Sequence, residues 1–208
     1  GGVALGAADS LKPNIIVILA DDFGWGSSTP YGAKGLNTPN LDRLAREGRR
    51  FTHAYAPSSV CSPSRYGLLT GRYYWRTSIK DGEVLMPTAP LHIEPARLTL
   101  ASLCKAHGYR TGAFGKWHLG LTVEQSPVGR GFDEWYGVLG RGAHDYLKLD
   151  DSEGSPMYRN GQPIKDEGYL TTRLTDETVV FIQKYKAQPF YIHLAYNAVH
   201  SPAQAPAE

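Results

Sequence analysis

The sequence predicts an α/β fold in which a mainly parallel central sheet is flanked by helices. Short apolar runs alternate with segments of helical periodicity along the 208 residues, and this alternation is typical of a parallel sheet covered by helices. The run Ile15–Ala20 shows no polar alternation. Such a run is typical of a strand that is buried on both faces, as the inner strands of a parallel sheet are.

The chain continues after this run with a helix and a second strand. Thr38 followed by Pro39 has the pattern of an N-cap and a first helical residue. The apolar residues that follow keep helical spacing, and Gly48 ends the helix. The segment RRFTHAYA, residues 49–56, is predicted to be a strand.

Helices and strands continue to alternate toward the C-terminus. Residues 99–107 are predicted to be a helix, and residues 109–117, YRTGAFGKW, a strand. Residues 130–168 are rich in Gly, Asp and Tyr and are predicted to form a long irregular excursion. Apolar residues with helical spacing over Tyr169–Ala187 predict a helix, and the run PFYIHLAY, residues 189–196, predicts another buried strand.

The composition is ordinary for a globular protein. Hydrophobic residues make up 41% and charged residues 20%, and the formal net charge of +2 gives no reason to expect a polyanionic partner such as nucleic acid. The two cysteines are too few for a disulfide framework. No apolar run approaches the ~20 residues that a membrane span needs.

The two ends of the chain indicate a piece of a longer, exported protein. Residues 1–8 are small and mostly apolar, and Gly6 and Ala8 have the spacing of a signal-peptide cleavage site. We interpret them as a leader remnant or, alternatively, as a flexible N-terminus, and expect a periplasmic or secreted location. The last residues form a Pro- and Ala-rich run directly after a predicted strand, which indicates that more of the domain follows.

Polar side chains gather where the predicted strands end, and ligands of open parallel sheets bind at that edge. Taken singly these residues have ordinary explanations, since an aspartate pair is usually a solvated turn and a Lys-x-His is usually on the surface. Lys116 and His118 would share one face if their segment is extended. The placement of all these residues together predicts one site, made of Asp21, Asp22, Cys61, Lys116, His118 and His200.

The stretch SSVCSPSRYGLLTGR contains one of the two cysteines, Cys61. Ser62 and Pro63 have the pattern of an N-cap and a first helical residue, which places Cys61 just outside a helix N-terminus. Backbone N–H groups and the positive end of the helix dipole would face the thiol, and Arg65 adds a positive charge. This environment suits an anion and an activated nucleophile. The alternative is a half-buried structural thiol.

The wider pattern resembles the type I sulfatase family of the alkaline-phosphatase-like superfamily. The resemblance is carried by NIIVILADDFGWG, TPNLDRLAREG, CSPSRYGLLTGR, GYRTGAFGKWHLG and NAVHSPAQAP, which occur in this order. It implies an alkaline-phosphatase-like fold that is incomplete at the C-terminus, with residues 9–208 as the N-terminal portion of the catalytic domain. It also implies hydrolysis of a sulfate monoester of a glycan or of an aryl or alkyl alcohol.

In that family a maturation enzyme oxidises the cysteine of the C-x-P-x-R motif, here Cys61, to formylglycine. One hydroxyl of the hydrated aldehyde would attack sulfur, and deprotonation of the second hydroxyl would expel sulfate and restore the aldehyde. A serine or an unmodified cysteine has no second hydroxyl and would stay esterified. The resemblance therefore implies a formylglycine cofactor that is formed from Cys61.

The resemblance also implies a metal ion. Asp21 and Asp22, together with the group derived from Cys61, would be ligands of a divalent cation. Calcium is the usual metal in the family, and hard carboxylate oxygens suit it. The cation would hold a sulfate oxygen and polarise the nucleophile.

The resemblance also implies which residues stabilise charge and which transfer protons. Arg65 and Lys116 would neutralise the sulfate oxygens. His118 would take the proton from the second hydroxyl, and His200 would donate to the departing alcohol oxygen. The residues that would touch the substrate are Lys116, His200 and, in the segment GRGAHDY, His144.

Two departures from the family pattern limit what these residues can do alone. The family's further Asp-Asn pair and a lysine lie downstream of the position of His200, beyond residue 208. The isolated chain is therefore expected to bind calcium weakly and to turn over poorly. Ala143 stands where some relatives have a polar residue that contacts sulfate, so that contact would fall to His144.

Two other functions are compatible with the same residues. A phosphate or phosphonate ester hydrolase of the same superfamily would use the same cation-rich site for another tetrahedral anion. A non-catalytic binding protein on the same scaffold would keep an unmodified Cys61. Assays with paired sulfate and phosphate esters distinguish a phosphate ester hydrolase from a sulfate ester hydrolase. The chemical state of Cys61 distinguishes a binding protein from either enzyme.

The other histidines and the second cysteine are predicted to be structural. His53 and His193 fall within predicted strands, where they would lie in the core or behind the site. His92 and His107 are expected on the surface. Cys104 shares a helix face with leucines and is predicted to be a buried structural thiol.

Overall fold

Helices and strands alternate along the chain as the sequence predicts. The computed structural model describes residues 12–77, 93–140, 145–149 and 156–207. The α-helices of these ranges are α1 (Pro39–Glu47), α2 (Cys61–Thr70), α3 (Leu100–Ala106) and α4 (Leu170–Tyr185). The strands are β1 (Ile15–Ala20), β2 (Arg110–Lys116), β3 (Glu134–Val138), β4 (Lys148–Leu149), β5 (Met157–Arg159), β6 (Gln162–Ile164), β7 (Asp166–Glu167) and β8 (Phe190–Tyr196). Within these ranges, no helix is long and apolar enough to cross a membrane.

The central sheet has six strands in the order β1-β8-β2-β3-β5-β6. Strands β1, β8, β2 and β3 run parallel, and β5 and β6 continue the sheet in antiparallel fashion. Strands β4 and β7 form a separate antiparallel pair. The predicted α/β fold with a mainly parallel sheet is confirmed. Because parallel strands end at one edge, Ala20, Lys116 and Tyr196 bring β1, β2 and β8 to a common rim.

Helices lie against both faces of this sheet. Successive residues of a strand point to opposite faces, and β8 shows the division clearly. Tyr191 packs in an apolar cluster with Tyr66 and Leu69 of α2. Ile192 and Leu194 pack in a second cluster with residues of α4. The sheet is therefore covered by α2 on one face and by α4 on the other.

The helix α3 has the predicted position and a well-defined start. Thr99 Oγ1 accepts a hydrogen bond from Ser102 N at 3.1 Å, and Ser102 Oγ accepts one from Thr99 N at 2.9 Å, which together make a capping box. Gly108, with a φ of +81°, follows the end of the helix. Cys104 is a free and buried thiol as predicted, and burial raises its pKa. His107 is exposed, also as predicted.

Strand β1 has the predicted bounds, but the prediction that it is buried on both faces is wrong. Ile16 and Ile18 are 45% and 59% exposed. Among the described residues β1 pairs with β8 alone, so it is an edge strand, and the face that carries these two side chains is open. The apolar stripe of α1 is similarly uncovered, with Leu44 62% exposed.

Residues 49–56 do not form the predicted strand. Their backbone is irregular and the whole segment is exposed, including His53, which is therefore not the core residue that its position in a strand predicts. A strand needs a neighbour for its backbone N–H and C=O groups. No strand within the described ranges pairs with this segment.

The segment 130–168 is more regular than the sequence predicts. It contains β3 and, in its described parts, the short strands β4 to β7. In the β2–β3 register Gly115 faces Gly137, and a glycine in each strand allows a close backbone approach while weakening the sequence signal for a strand. The predicted substrate residue His144 lies outside the described residues, as does His92.

Replacing Gly115 by alanine is expected to destabilise the sheet strongly. Gly115 has a φ of +104°, and an added Cβ would lie 1.9 Å from the carbonyl oxygen of Ala195 in β8. The backbone conformation and the clash both oppose a side chain. We expect the free energy of unfolding, measured by urea denaturation, to fall by about 3 kcal/mol or more. The control Gly26→Ala, where no atom lies within 4 Å, should change it by less than about 0.5 kcal/mol.

Buried His193 is expected to make the stability of the protein depend on pH. His193 lies in β8 with 2% exposure, in the core as predicted. Burial, with the charge of Arg65 as the smaller cause, lowers the pKa of His193 to about 3. The unfolded chain takes up a proton near the ordinary histidine pKa of ~6.5, whereas the folded protein does so only near pH 3. Stability is therefore lost as the pH falls from 6.5 toward 3.

The variant His193→Leu should remove this part of the pH dependence. Between pH 6.5 and pH 5 the wild type is expected to lose about 2 kcal/mol more of its free energy of unfolding than the variant does. Urea denaturation at the two pH values measures both losses, and the other histidines cancel in the comparison. Equal losses in the two proteins would contradict a neutral, buried His193.

Candidate active site

Three segments that are distant in sequence meet at the rim of the sheet. Strand β1 is followed by Asp21, β2 ends at Lys116, and α2 carries Cys61 and Arg65 near its start. Lys116 Nζ lies 2.5 Å from Asp21 Oδ2 and 3.5 Å from Cys61 Sγ. Arg65 Nη2 lies 3.4 Å from Asp21 Oδ1. The structure thus brings these predicted site residues into direct contact.

The start of α2 differs from the predicted one. The helix begins at Cys61 rather than after Ser62, and Val60 is its N-cap, with extended dihedral angles of φ −127° and ψ 160°. Pro63 is tolerated in the first turn because the N–H that it lacks would have no helical partner there. Cys61 and Arg65 are four residues apart, so they share one face of the helix. The free thiol of Cys61 lies partly exposed in the first turn.

Asp21 is a buried carboxylate between two buried cations. Asp21 is 7% exposed, and Arg65 and Lys116 are each 2% exposed. Burial lowers the pKa of Arg65, and the nearby Asp21 carboxylate opposes this shift. In the described part of the chain, these buried side chains carry two positive charges and one negative charge. Because an uncompensated buried charge is costly, the cluster favours a bound anion.

Lys116 is held through its backbone as well as through its side chain. Gly115, with its positive φ, lies directly before Lys116 within β2. Arg65 Nη1 then donates a hydrogen bond of 2.7 Å to the carbonyl oxygen of Lys116. The ammonium group at the other end of the residue reaches Asp21 and Cys61. Lys116 is therefore fixed at both ends before any ligand binds.

His118 is buried two residues after Lys116, but strand alternation does not place it there. β2 ends at Lys116, and His118 has a left-handed backbone with a φ of +57°. Its backbone N–H donates to the carbonyl of Leu139 at 2.8 Å, and the residue is 1% exposed. The predicted sharing of one face assumes an extended segment, and that assumption is wrong for His118.

His200 reaches the site from the loop after β8. The backbone of Asp21 holds this loop, since its N–H donates to Ala198 O at 3.1 Å and its carbonyl accepts from Val199 N at 2.9 Å. His200 Nε2 lies 3.7 Å from Asp22 Oδ2. The largely exposed carboxylate of Asp22 therefore faces His200, and its charge also acts on Arg65.

Tyr146 supports the His200 loop and was not among the predicted residues. Its hydroxyl lies 2.8 Å from the carbonyl oxygen of Asn197 and 2.6 Å from that of His200. Burial, with the charge of Asp21 as a smaller cause, raises the pKa of Tyr146 to about 12. The sequence signal was only an aromatic residue within GRGAHDYLKLDD, and such a residue fits an exposed loop equally well.

The donor atoms around Asp21 fit part of a cation site. One ligand atom each from Asp21, Cys61 and His200 lie within 4.8 Å of one another. The carboxylates of Asp21 and Asp22 are hard donors of the kind that calcium prefers, and calcium takes 6–8 of them. The described residues can therefore supply a partial set of ligands.

A cleft of about 480 Å³ opens beside this cluster. Its polar wall includes Asp21, Asp22, Cys61 and Arg65, and Phe23 contributes to its apolar wall. A cleft with charged groups on one side and apolar surface on the other can hold a small anionic group together with the body of the molecule that carries it.

Comparison with known proteins gives the family. The Sulfatase family model matches residues 13–208. The N-acetylgalactosamine-6-sulfatase of Sus scrofa is 37% identical over 216 residues, which cover 93% of this chain and 41% of that protein. Arylsulfatase A of Bos taurus is 44% identical over 224 residues, covering 96% of this chain and 44% of that protein. The chain therefore spans less than half the length of these relatives.

Solved structures agree with this assignment. The crystal structure of Ps i-CgsB in complex with k-i-k-neocarrahexaose matches with a TM-score of 0.84 and 37% identity, over 94% of this chain and 47% of that chain. A structure in complex with its substrate D-Glucosamine-2-N, 6-O-disulfate matches with a TM-score of 0.73 and 30% identity, over 91% of this chain and 35% of that chain. With an alkaline-phosphatase-like fold and a family match over nearly its whole length, the chain belongs to the sulfatase family.

Proposed function

We propose that this chain is the N-terminal part of the catalytic domain of a sulfuric ester hydrolase that cleaves a sulfate monoester. The observation that carries the proposal is the convergence of two buried cations, Arg65 and Lys116, beside Cys61 with one buried carboxylate, Asp21, between them. The excess positive charge suits a tetrahedral anion, and membership of the sulfatase family favours sulfate. The activity is proposed for the whole encoded protein, including any segment after residue 208.

Cys61 is proposed to be converted to formylglycine by a maturation enzyme. The hydrated aldehyde would supply a hydroxyl nucleophile at the position of the thiol. Cys61 is free, partly exposed and part of the cleft wall, so both the modification and a substrate can reach it. The N-terminus of α2 and Lys116 would stabilise negative charge on an oxygen at this position.

Arg65 and Lys116 are proposed to bind the sulfate group and to stabilise the charge that develops on its oxygens. Their hydrogen bonds hold both side chains in place before substrate arrives. Charged groups that need little reorganisation stabilise a transition state most effectively, and removal of one such donor typically lowers kcat by ~10²–10³.

His118 and His200 are proposed to transfer protons. His118 would accept the proton of the second hydroxyl of the hydrated aldehyde. His200 would donate to the departing alcohol oxygen through Nε2, since the carbonyl oxygen of Ser201, 2.7 Å from Nδ1, holds the other ring nitrogen. Tyr146 would keep His200 at the cleft through the hydrogen bonds that it makes to the loop.

A divalent cation, with calcium as the first candidate, is proposed to bind at Asp21 and Asp22 together with the group derived from Cys61. When bound, it would supply the charge that polarises the nucleophile and a sulfate oxygen. The Asp21 carboxylate now neutralises part of the charge of Arg65 and Lys116. Sharing that carboxylate with a cation would leave more of their charge for the sulfate group.

A sulfated glycan is the proposed substrate class, with smaller sulfate esters as the alternative. The relatives include proteins named for N-acetylgalactosamine-6-sulfate, and the matched structures include complexes with a neocarrahexaose and with a glucosamine disulfate. A glycan substrate fits a periplasmic or secreted location, which we also propose. His144 is proposed to contribute to recognition of the substrate.

The first measurement concerns Cys61 itself. When the encoded protein is produced in a host that has a formylglycine-generating enzyme, the tryptic peptide Phe51–Arg65 should carry an aldehyde in place of the thiol. Mass spectrometry of this peptide gives the answer, and the peptide that contains Cys104 should keep its thiol. An intact Cys61 under these conditions would favour a non-catalytic binding protein.

The variant Cys61→Ala is expected to lower kcat for aryl sulfate hydrolysis by at least ~10³-fold, since it removes the nucleophile. Cys104→Ala is the matched control. Cys104 lies in α3 and is buried in the apolar core cluster, so its substitution should leave kcat unchanged. The same proteins are assayed with the corresponding phosphate ester. A higher kcat/KM for phosphate than for sulfate would overturn the sulfatase assignment in favour of a phosphate ester hydrolase.

A further inference from the structure

Asn197 is a buried amide whose side chain is not satisfied by the described protein. It is 3% exposed, and neither its Nδ2 nor its Oδ1 has a hydrogen-bond partner within the described ranges. Most buried polar side chains are bonded, and one that is not destabilises the fold. An apolar residue of the same size would avoid this cost.

The alternation of β8 places the side chain of Asn197 on the α2 face of the sheet. Tyr196, on the opposite face, has its hydroxyl 2.7 Å from the hydroxyl of Thr175 in α4. His193 lies on the α2 face, and the charge of Arg65 contributes to its lowered pKa. Asn197 is the first residue after β8 ends at Tyr196, and we infer its face by continuing the alternation by this one residue, which gives the same face as His193. It also lies at the rim where Arg65 is held.

The register of the sheet brings Asn197 beside the buried ion cluster. Ala20 pairs with Tyr196, and beyond this last pair the backbone N–H of Asp21 donates to the carbonyl oxygen of Ala198 at 3.1 Å, so Asn197 lies in the segment that runs directly beside Asp21. On the other side of β8, Lys116 follows the last paired residue of β2. The backbone of Asn197 therefore follows the middle one of three strand ends, with Asp21 after the strand on one side and Lys116 at the end of the strand on the other.

We propose that Asn197 is a further substrate-binding residue, whose Nδ2 donates a hydrogen bond to an oxygen of the tetrahedral anion held by Arg65 and Lys116. The proposal rests on the proposed function. Arg65 and Lys116 supply charge, whereas a neutral amide supplies a directed donor that fixes the orientation of the anion. The bound anion would satisfy an amide that the protein leaves without a partner in its described parts.

The variant Asn197→Leu separates this role from a structural one. Leucine has a similar volume and removes both unsatisfied amide atoms, so thermal denaturation should show an equal or higher Tm without ligand. The dissociation constant for inorganic sulfate, measured by thermal shift in a sulfate titration, should rise by about tenfold or more, as expected for loss of a hydrogen bond to a charged group. The value of kcat/KM for the sulfate ester should fall by a similar factor.

Tyr191→Phe is the matched control. Tyr191 lies on the same strand and the same face, is fully buried, and has a hydroxyl with no partner in the described residues, but it is about 20 Å from Asn197 along β8. Removal of this hydroxyl should raise Tm and leave both the sulfate affinity and kcat/KM unchanged. The general stabilisation that sulfate gives to any folded protein is the same in both variants and cancels.

Each result decides one question. Equal sulfate affinities for Asn197→Leu and Tyr191→Phe would overturn the role of Asn197 and leave the proposed function intact. If the wild type carries formylglycine at position 61 and still does not hydrolyse the sulfate ester, the proposed function is overturned. The sulfate titration would then still decide whether Asn197 binds the anion. If Asn197→Leu does not fold, Asn197→Ala, which needs less space, is tested in the same way with the same expected loss of sulfate affinity.

Discussion

The pairing of the Asp21 carboxylate with Arg65 and Lys116 is the interaction on which the rest of the site depends. It joins groups that are up to 95 positions apart in sequence: Asp21 follows β1, Arg65 lies in α2 and Lys116 ends β2. A buried ion pair offsets its desolvation only when its groups are well bonded. Here Arg65 also donates to the carbonyl of Lys116, and Lys116 also reaches Cys61. The ends of β1, β2 and α2 are therefore held in one arrangement.

The groups that make the site suitable for an anion lower the stability of the fold when no anion is bound. One buried carboxylate cannot neutralise two buried cations, and the amide of Asn197 has no partner in the described residues. Such costs tend to concentrate where a ligand binds, because selection retains them for function while the rest of the fold compensates. The compensation here comes from the two apolar clusters that pack α2 and α4 against opposite faces of the sheet.

Local signals in the sequence were sufficient for most elements but not for those that depend on a partner. The bounds of β1, the position of α3 and the apolar run of β8 can be recognised from neighbouring residues alone. Strand β3 could not, because Gly137 weakens its signal and β2 is what stabilises it. The opposite error at residues 49–56 has the same cause, since strand-like composition does not form a strand without a pairing neighbour.

The site residues divide in a similar way. The rule that ligands gather beyond the carboxyl ends of parallel strands was enough to group Asp21 and Lys116 before their contact was known. The roles proposed for Tyr146 and Asn197 could not be predicted, because they are argued from burial and from the presence or absence of a bonding partner. Those are properties of the folded chain, and a single sequence does not contain them in any local pattern.

The open edge of β1 affects the tendency of the chain to associate with other molecules in concentrated solution. On one side, within the described ranges, β1 presents backbone groups that no strand pairs, and Ile16 and Ile18 project exposed apolar surface beside them. An edge of this kind is a template for strand addition by other molecules. A net charge of +2 provides little repulsion to oppose it. Any segment that pairs with β1 therefore also acts as a protection against aggregation.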